Sequence, residues 1–463
     1  DGDFAMIYGY PGGTTRYETS YGIKLKNEIE NPSLVGLRDV RLKLMHEQMI
    51  KDPAVKLKLA DNYAGVANYW KFFDGETKQL IKYKVYEQKQ DFENKFNAWA
   101  KGKPEYENVM ADYAKNYAAW TPYSKMRQYL NEGILGSPLA ANASRLISLE
   151  DKLIKTNTPA ADLKKAVDAA TAARAAFKES EDLPSDEKIL AATAMMFYND
   201  VDKNLHPIGF YEGMKAAYGS LNDEATFKAW AKDVFAKTML LDDAKWKAFT
   251  DAPTATALQE DPAFAYAAAF SKNYTSKYST LFADFRNKND ELGRAYLKGI
   301  MEMNPAAVNK MYPDANFSMR VSYGNVKSYN PRDAVHYDYV CTGKGILEKY
   351  VPGDYEFDLP AKQVELFRKK DFGQYIDKGR NDLVVSFITT NDITGGNSGS
   401  PVIDANGNLI GLAFDGNYEA LSHKIAFDKD LNRTINVDVR YVLWCIDKLG
   451  GAKNIIDELK LVR

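Results

Sequence analysis

The chain has 463 residues, 61 of them basic and 63 acidic, for a formal charge of -2. That length implies two or more domains, and the near-neutral balance excludes the basic footprint of a nucleic-acid binder. Thirty tyrosines and 22 phenylalanines can fill a large core, while no run approaches the roughly 20 apolar residues of a membrane-spanning helix. The two cysteines, Cys341 and Cys445, form one bridge at most and leave the redox compartment open. No glycine-rich phosphate loop and no metal-ligand spacing of Asp, Glu and His is present, so neither cofactor nor metal is expected.

In chain order, Asp1-Gly2-Asp3 runs straight into an apolar strand and the turn Tyr10-Pro11-Gly12, with no Met or targeting segment before it. The stretch reads as the interior of a domain. From about 21 to 315 the pattern is helical. Val85, Phe92, Phe96 and Trp99 recur at helical spacing and share one face. Thr158-Pro159, and Ser185 ahead of Glu187, read as helix starts. Lys155-Thr156-Asn157 and Leu183-Pro184-Ser185 read as turns, and the alanine-rich residues 160–176 as strong helix former. No fixed-period repeat is evident. From about 316 the period becomes that of strands, beginning with residues 317–326. A final helix is expected over 437–459, broken near Gly450-Gly451.

The stretch with most chemistry in it is Thr394-Gly395-Gly396-Asn397-Ser398-Gly399-Ser400-Pro401. It follows a buried strand, 383–388, and precedes a hairpin turning at Asn406-Gly407. Trypsin-like peptidases present their nucleophile in this way. A catalytic serine needs backbone N–H groups aimed at the developing oxyanion, and flanking glycines let the backbone turn sharply enough to aim them. On this reading Ser398 Oγ attacks the scissile carbonyl while Gly396 N–H and Ser398 N–H hold the oxyanion. A bare Gly-X-Ser-Gly is usually an ordinary loop; eight matching residues in this strand context favour the nucleophile.

The chain resembles the bacterial dipeptidyl-peptidase 7 and 11 family of serine peptidases. The resemblance is carried by residues 2–12, Ala67-Asn68-Tyr69-Trp70-Lys71, Thr394 to Pro401, Phe414-Asp415-Gly416 and residues 437–444, in the family's order along the chain. It implies an α+β multidomain fold: a chymotrypsin-like β-barrel half with a large inserted α-helical cap domain. The expected division is 1–20 as a remnant of the first barrel half, 21–315 as the helical cap, and 316–463 as the second half with its C-terminal helix.

The resemblance also implies a serine exopeptidase that removes dipeptides from free N-termini through an acyl-enzyme on Ser398. The Asp of Phe414-Asp415-Gly416 would anchor the substrate's ammonium, and Asn68 would be the second amine ligand. Without the family, Asp415 reads equally well as a turn residue and Asn68 reads better as a surface helix Asn. Gly416 matches the position where the family's acidic-specific members carry Arg, so Gly implies a hydrophobic P1 preference of the dipeptidyl-peptidase 7 type.

Chymotrypsin-like triads run His, Asp, Ser along the chain. His46 reads as a solvated helix histidine and His206 as a loop residue before Pro207. His336 stands in Val335-His336-Tyr337, and His423 follows the serine and so has the wrong order. Asp3 sits in a Gly-Asp-Phe triplet like the family's triad Asp, but its following Tyr-Pro-Gly belongs to a later segment. The base and its carboxylate are therefore expected before Asp1, in cis or on a separate chain, and these 463 residues alone are expected to be inactive.

Expected partners are peptides with a free N-terminus and that missing segment; a homodimer is allowed. The family lives in the periplasm or at the cell surface of Gram-negative bacteria, which is the localisation implied. Two other readings stay open: a catalytically inactive peptide-binding fragment, and a β-barrel interaction module with a coincidental Gly-Asn-Ser-Gly.

Overall fold

The computed structural model describes residues 1–354 and 356–462. Two compact units emerge, one built from residues 1–18, 78–85 and 306–463, the other from 19–77 and 86–305.

The first unit carries the strands β1 (Phe4–Gly9), β2 (Arg320–Asn325), β3 (Tyr329–Arg332), β4 (Val335–Tyr337), β5 (Val340–Thr342), β6 (Val384–Thr389), β7 (Pro401–Ile403), β8 (Leu409–Gly416) and β9 (Thr434–Asp438). Seven form one antiparallel sheet in the order β2-β1-β7-β8-β9-β6-β5, and β3 pairs with β4 apart from it. Side chains alternate across a strand, so Ala5, Ile7, Phe387, Val402 and Ala413 bury one face in a common core.

A barrel half is the expectation from the family resemblance. The structure has instead a curled sheet with β2 and β5 as its edges, not a closed barrel. Curling brings the end of β2 back to the end of β6: Val326 bridges Thr389, and Thr390 N–H donates to Asn325 O at 2.9 Å. Residues 4–9, read from sequence as part of a first half, pair with both 320–325 and 401–403 within this sheet.

Behind the sheet's far end, Trp444 is fully buried and stacks on Phe367 with ring centroids 4.9 Å apart. Its helix is Val439–Trp444, two residues later than the sequence suggests. Residues 437 and 438 finish β9, and Asp438 caps the helix by accepting from Arg440 N–H at 2.8 Å. A break does follow, with Gly451 at φ +71°.

The second unit is helical. The predicted face on helix Val85–Ala100 buries Val85 and Phe96, with Phe92 and Trp99 partly covered. The helices Ala160–Ser180 and Leu183–Asp200 correct the sequence reading of the turn between them. Leu183-Pro184-Ser185 is the second helix's first turn, because Asp182 is a stronger cap than Ser185: its carboxylate accepts from Ser185 N–H at 3.0 Å. Pro184 sits where a helix tolerates proline. Among the described residues no helix is long and apolar enough to cross a membrane.

Asp186, in the same helix, couples this unit to pH. It is almost fully buried and accepts from Ser137 Oγ at 2.6 Å and Leu139 N–H at 2.8 Å. Those bonds favour the carboxylate, but burial outweighs them and pushes its pKa from 3.8 up to about 7. A carboxyl whose folded pKa is raised stabilises the fold while protonated. That contribution is complete below about pH 4 and is lost as pH rises through about 7. Asp186→Asn keeps both contacts, with the amide donating to Ser137 and accepting from Leu139, and has nothing to ionise. Thermal unfolding of the native protein should therefore weaken between pH 5 and pH 8 by more than that of Asp186→Asn. Equal pH slopes would refute the assignment.

Candidate active site

The loop after β6 is held by its own polar groups. Asn397 is 3% exposed, and its Oδ1 accepts from Thr394 N–H at 3.2 Å while its N–H donates to Thr394 O at 3.0 Å. Gly399 N–H donates to Ala413 O at 2.8 Å, tying the loop to β8. From the other side, Gly12 N–H donates to Gly395 O at 2.7 Å. Gly396 has φ +107°, and a Cβ there would lie 2.3 Å from Tyr10 O. Only glycine serves at that position, so the turn that presents the serine is specified by residues on both segments.

Ser398 is exposed at the tip, and its Oγ donates to Phe414 O at 3.3 Å. Neither Gly396 N–H nor Ser398 N–H donates to another group among the described residues. Amides without an internal acceptor, on residues two apart, meet one requirement of an oxyanion site.

Beside the loop, β8 runs on through Asp415 and Gly416. A bulge between Ala413 and Asp415 makes this extension fit: Ala413 pairs with Asn436, Asp415 with Ile435 and Gly416 with Thr434. The Asp415 carboxylate is exposed and accepts from Gly416 N–H at 2.8 Å. Ser398, Asp415 and Gly416 line one cavity of about 60 Å³, together with Asn391, Thr394 and His423. Asn68 lies exposed on helix Pro53–Lys82, within the other compact unit.

None of the histidine nitrogens bonds Ser398 Oγ. His46 sits near the ring of Tyr63, and His206 packs among Phe197, Tyr198 and Tyr211 with Nε2 against Val201 O at 3.1 Å. His336 Nδ1 meets Asn330 Oδ1 at 2.9 Å. His423, set aside on chain order, does reach the cavity. Its Nδ1 lies 2.5 Å from Ala420 O, and burial pulls its pKa from 6.5 down to about 4. A carbonyl partner requires the proton on Nδ1, so the ring is neutral at pH 7 with a lone pair on Nε2.

The cavity residues Asn391 and Asn432 carry no local motif, and sequence reasoning passes over them. Among the described residues, no group of three His, Cys, Asp or Glu could hold a metal ion. Cys341 and Cys445 are both free thiols.

A glycine-flanked serine loop on an antiparallel sheet and a carboxylate thus line one small cavity. The peptidase S46 family model matches residues 1–461, and the chain belongs to that family. It is 37% identical over 468 residues to the Asp/Glu-specific dipeptidyl-peptidase of Flavobacterium psychrophilum, covering 99% of this chain and 63% of that protein. It is also 37% identical over 473 residues to dipeptidyl-peptidase 7 of Phocaeicola vulgatus, covering all of this chain and 63% of that protein. In three dimensions it resembles Porphyromonas endodontalis DPP11 in complex with the dipeptide Arg-Glu, with a TM-score of 0.86 and 28% identity over 98% of this chain and 64% of that one. The chain thus spans somewhat less than two thirds of the length of these relatives.

Proposed function

We propose that the intact protein is a serine exopeptidase that releases dipeptides from free N-termini. The observation that carries this reading is the S46 match over 1–461 taken with the cavity that joins Ser398 to Asp415. Ser398 Oγ attacks the carbonyl of the second residue, and the amides of Gly396 and Ser398 stabilise the oxyanion. Asp415 receives the α-ammonium. Asn68 is assigned as a further amine ligand from the family resemblance alone.

Ser398 is a weak nucleophile without a base. Its Oγ bonds the Phe414 carbonyl and no histidine nitrogen, so we assign the base and its orienting carboxylate to residues outside these 463. The two relatives at equal identity differ in specificity by name, so overall likeness does not choose between them. Gly416 does, in this reading. It leaves the P1 site uncharged, which favours an uncharged residue over Asp or Glu; the resemblance alone would make that residue hydrophobic. The periplasm or cell surface is the proposed location, again by resemblance.

The test is dipeptide release by the intact protein from peptides matched except at P1, each with a free or acetylated N-terminus. Leu at P1 should be cleaved faster than Glu, and acetylation should abolish release. Gly416→Arg should move the preference toward Glu, because a guanidinium supplies the missing charge partner. A Cβ at 416 would stand 3.3 Å from Ala420 Cβ, a fit that needs only a small adjustment. Faster cleavage of Glu by the unmodified protein, or an unmoved ratio in Gly416→Arg, would overturn the P1 reading. Release from acetylated peptides would overturn the exopeptidase reading.

A further inference from the structure

Phe317 stands beside the nucleophile loop in a conformation that its own backbone resists. Its φ is +64°, a region that a bulky residue rarely enters. Such strain persists only where the surroundings over-determine it, and here they do. Phe317 N–H donates to Pro11 O at 2.8 Å and to Gly12 O at 3.0 Å, and Asn316 bridges Gly13. Just before it, the Asp314 carboxylate accepts from Thr14 Oγ1 at 2.6 Å and from Arg16 N–H at 2.8 Å. The side chain held in this way is not a core group, for Phe317 is 69% exposed.

The ring rests on the backbone of two glycines. A Cβ at Gly12 would lie 3.0 Å from Phe317 Cζ, and one at Gly396 would lie 3.4 Å from Phe317 Cε1. Gly396 carries one of the two amides assigned to the oxyanion, so an exposed aromatic surface adjoins that site. Sheet order decides which part of a substrate meets it. In β2-β1-β7-β8-β9, the strand β7, with the nucleophile loop that leads into it, lies between β1–β2 and β8. Asp415 and Gly416 stand on the β8 side. Gly12 follows β1 and Phe317 precedes β2, so the ring stands on the other side, outside the lining of the Asp415 cavity. A dipeptide with its ammonium at Asp415 and its second carbonyl at Ser398 fills the β8 side. The leaving peptide continues past Ser398, on the side of Phe317.

We propose that Phe317 forms a subsite for the leaving peptide, taking an apolar or aromatic side chain from its first two residues, P1′ or P2′. Resting on the exopeptidase reading above, this subsite takes the half of the substrate which that reading leaves unassigned.

The experiment uses the intact protein and three peptides that share a free N-terminus and the P1 residue cleaved fastest in the series above. They carry Gly-Gly, Phe-Gly or Gly-Phe at P1′ and P2′. At least one Phe peptide should exceed the Gly-Gly peptide in kcat/KM by about tenfold, the scale of an aromatic contact made with partial burial. Phe317→Gly deletes the ring and takes φ +64° without strain, while Phe317→Asn deletes it with a residue that tolerates the same region. Both should bring the Phe-to-Gly ratio toward unity, and Phe317→Tyr, which keeps the ring, should retain it. Two ring-deleting variants guard against one failing to fold. A Gly-Gly peptide cleaved as fast as both Phe peptides by the unmodified protein would overturn the subsite and leave the exopeptidase reading standing. So would ring-deleting variants that slow all three peptides by the same factor, the mark of a purely structural role, or that leave every rate unmoved. No dipeptide release from any of the three by the unmodified protein would overturn the exopeptidase reading itself, and the subsite with it.

Discussion

Ser398→Ala in the intact protein should lower kcat for dipeptide release by about five to six orders of magnitude, the scale seen when the nucleophile of a serine peptidase is removed. The expectation follows from the loop geometry. Gly396 at φ +107° and the contacts from Gly12 and Asn397 shape the turn without help from the serine side chain. The hydroxyl's contact is with Phe414 O at 3.3 Å, at an exposed position. Its loss should leave folding intact and remove only the attacking atom. Near-normal hydrolysis by a folded Ser398→Ala protein would mean that another group is the nucleophile. The comparison requires equal thermal unfolding of the two proteins, so that lost activity is not lost structure.

Asp415→Ala should cut kcat/KM for free dipeptidyl substrates by roughly 30-fold to several thousand-fold, corresponding to about 2–5 kcal/mol for truncating one partner of a buried hydrogen-bonded charge pair. Asp415 is exposed in the unliganded chain, so its carboxylate is hydrated and free to receive a cation that arrives with substrate. Burial of the pair would come with the peptide. Without the carboxylate, the ammonium would be desolvated with no counter-charge. Asp415→Asn, which keeps the acceptor for Gly416 N–H, separates the loss of charge from the loss of strand geometry. If both variants retain native kcat/KM, the amine is held elsewhere.

Legibility from sequence follows the range of the forces involved. The nucleophile loop is readable because its glycines answer local demands, and the Asn406-Gly407 turn is readable because Gly407 takes φ +85°. The face of helix Val85–Ala100 is readable from spacing alone. The cap at Asp182 is ambiguous because two capping residue types stand three apart, and only the bond to Ser185 N–H decides between them. The reach of β8 to Gly416 depends on a bulge against β9, which a one-strand pattern does not reveal. Sheet order depends on pairings such as Met6 with Tyr323 and Met6 with Ile403, hundreds of residues apart. For the same reason the cavity is invisible in sequence. Asn391, His423 and Asn432 come from three separate segments, and only the folded sheet brings them beside Ser398.

Fluorophosphonate labelling, with the modified residue located by mass spectrometry, tests most directly whether Ser398 is the reactive centre. The reagent forms a stable adduct with a serine only where a base activates it and an oxyanion site supports the attack. Stoichiometric label is expected on Ser398 in the intact protein, and none on residues 1–463 expressed alone. Label on a different serine in the intact protein would contradict Ser398 as the nucleophile. Label on Ser398 in the isolated 463 residues would contradict the assignment of the base and return His423 to that role.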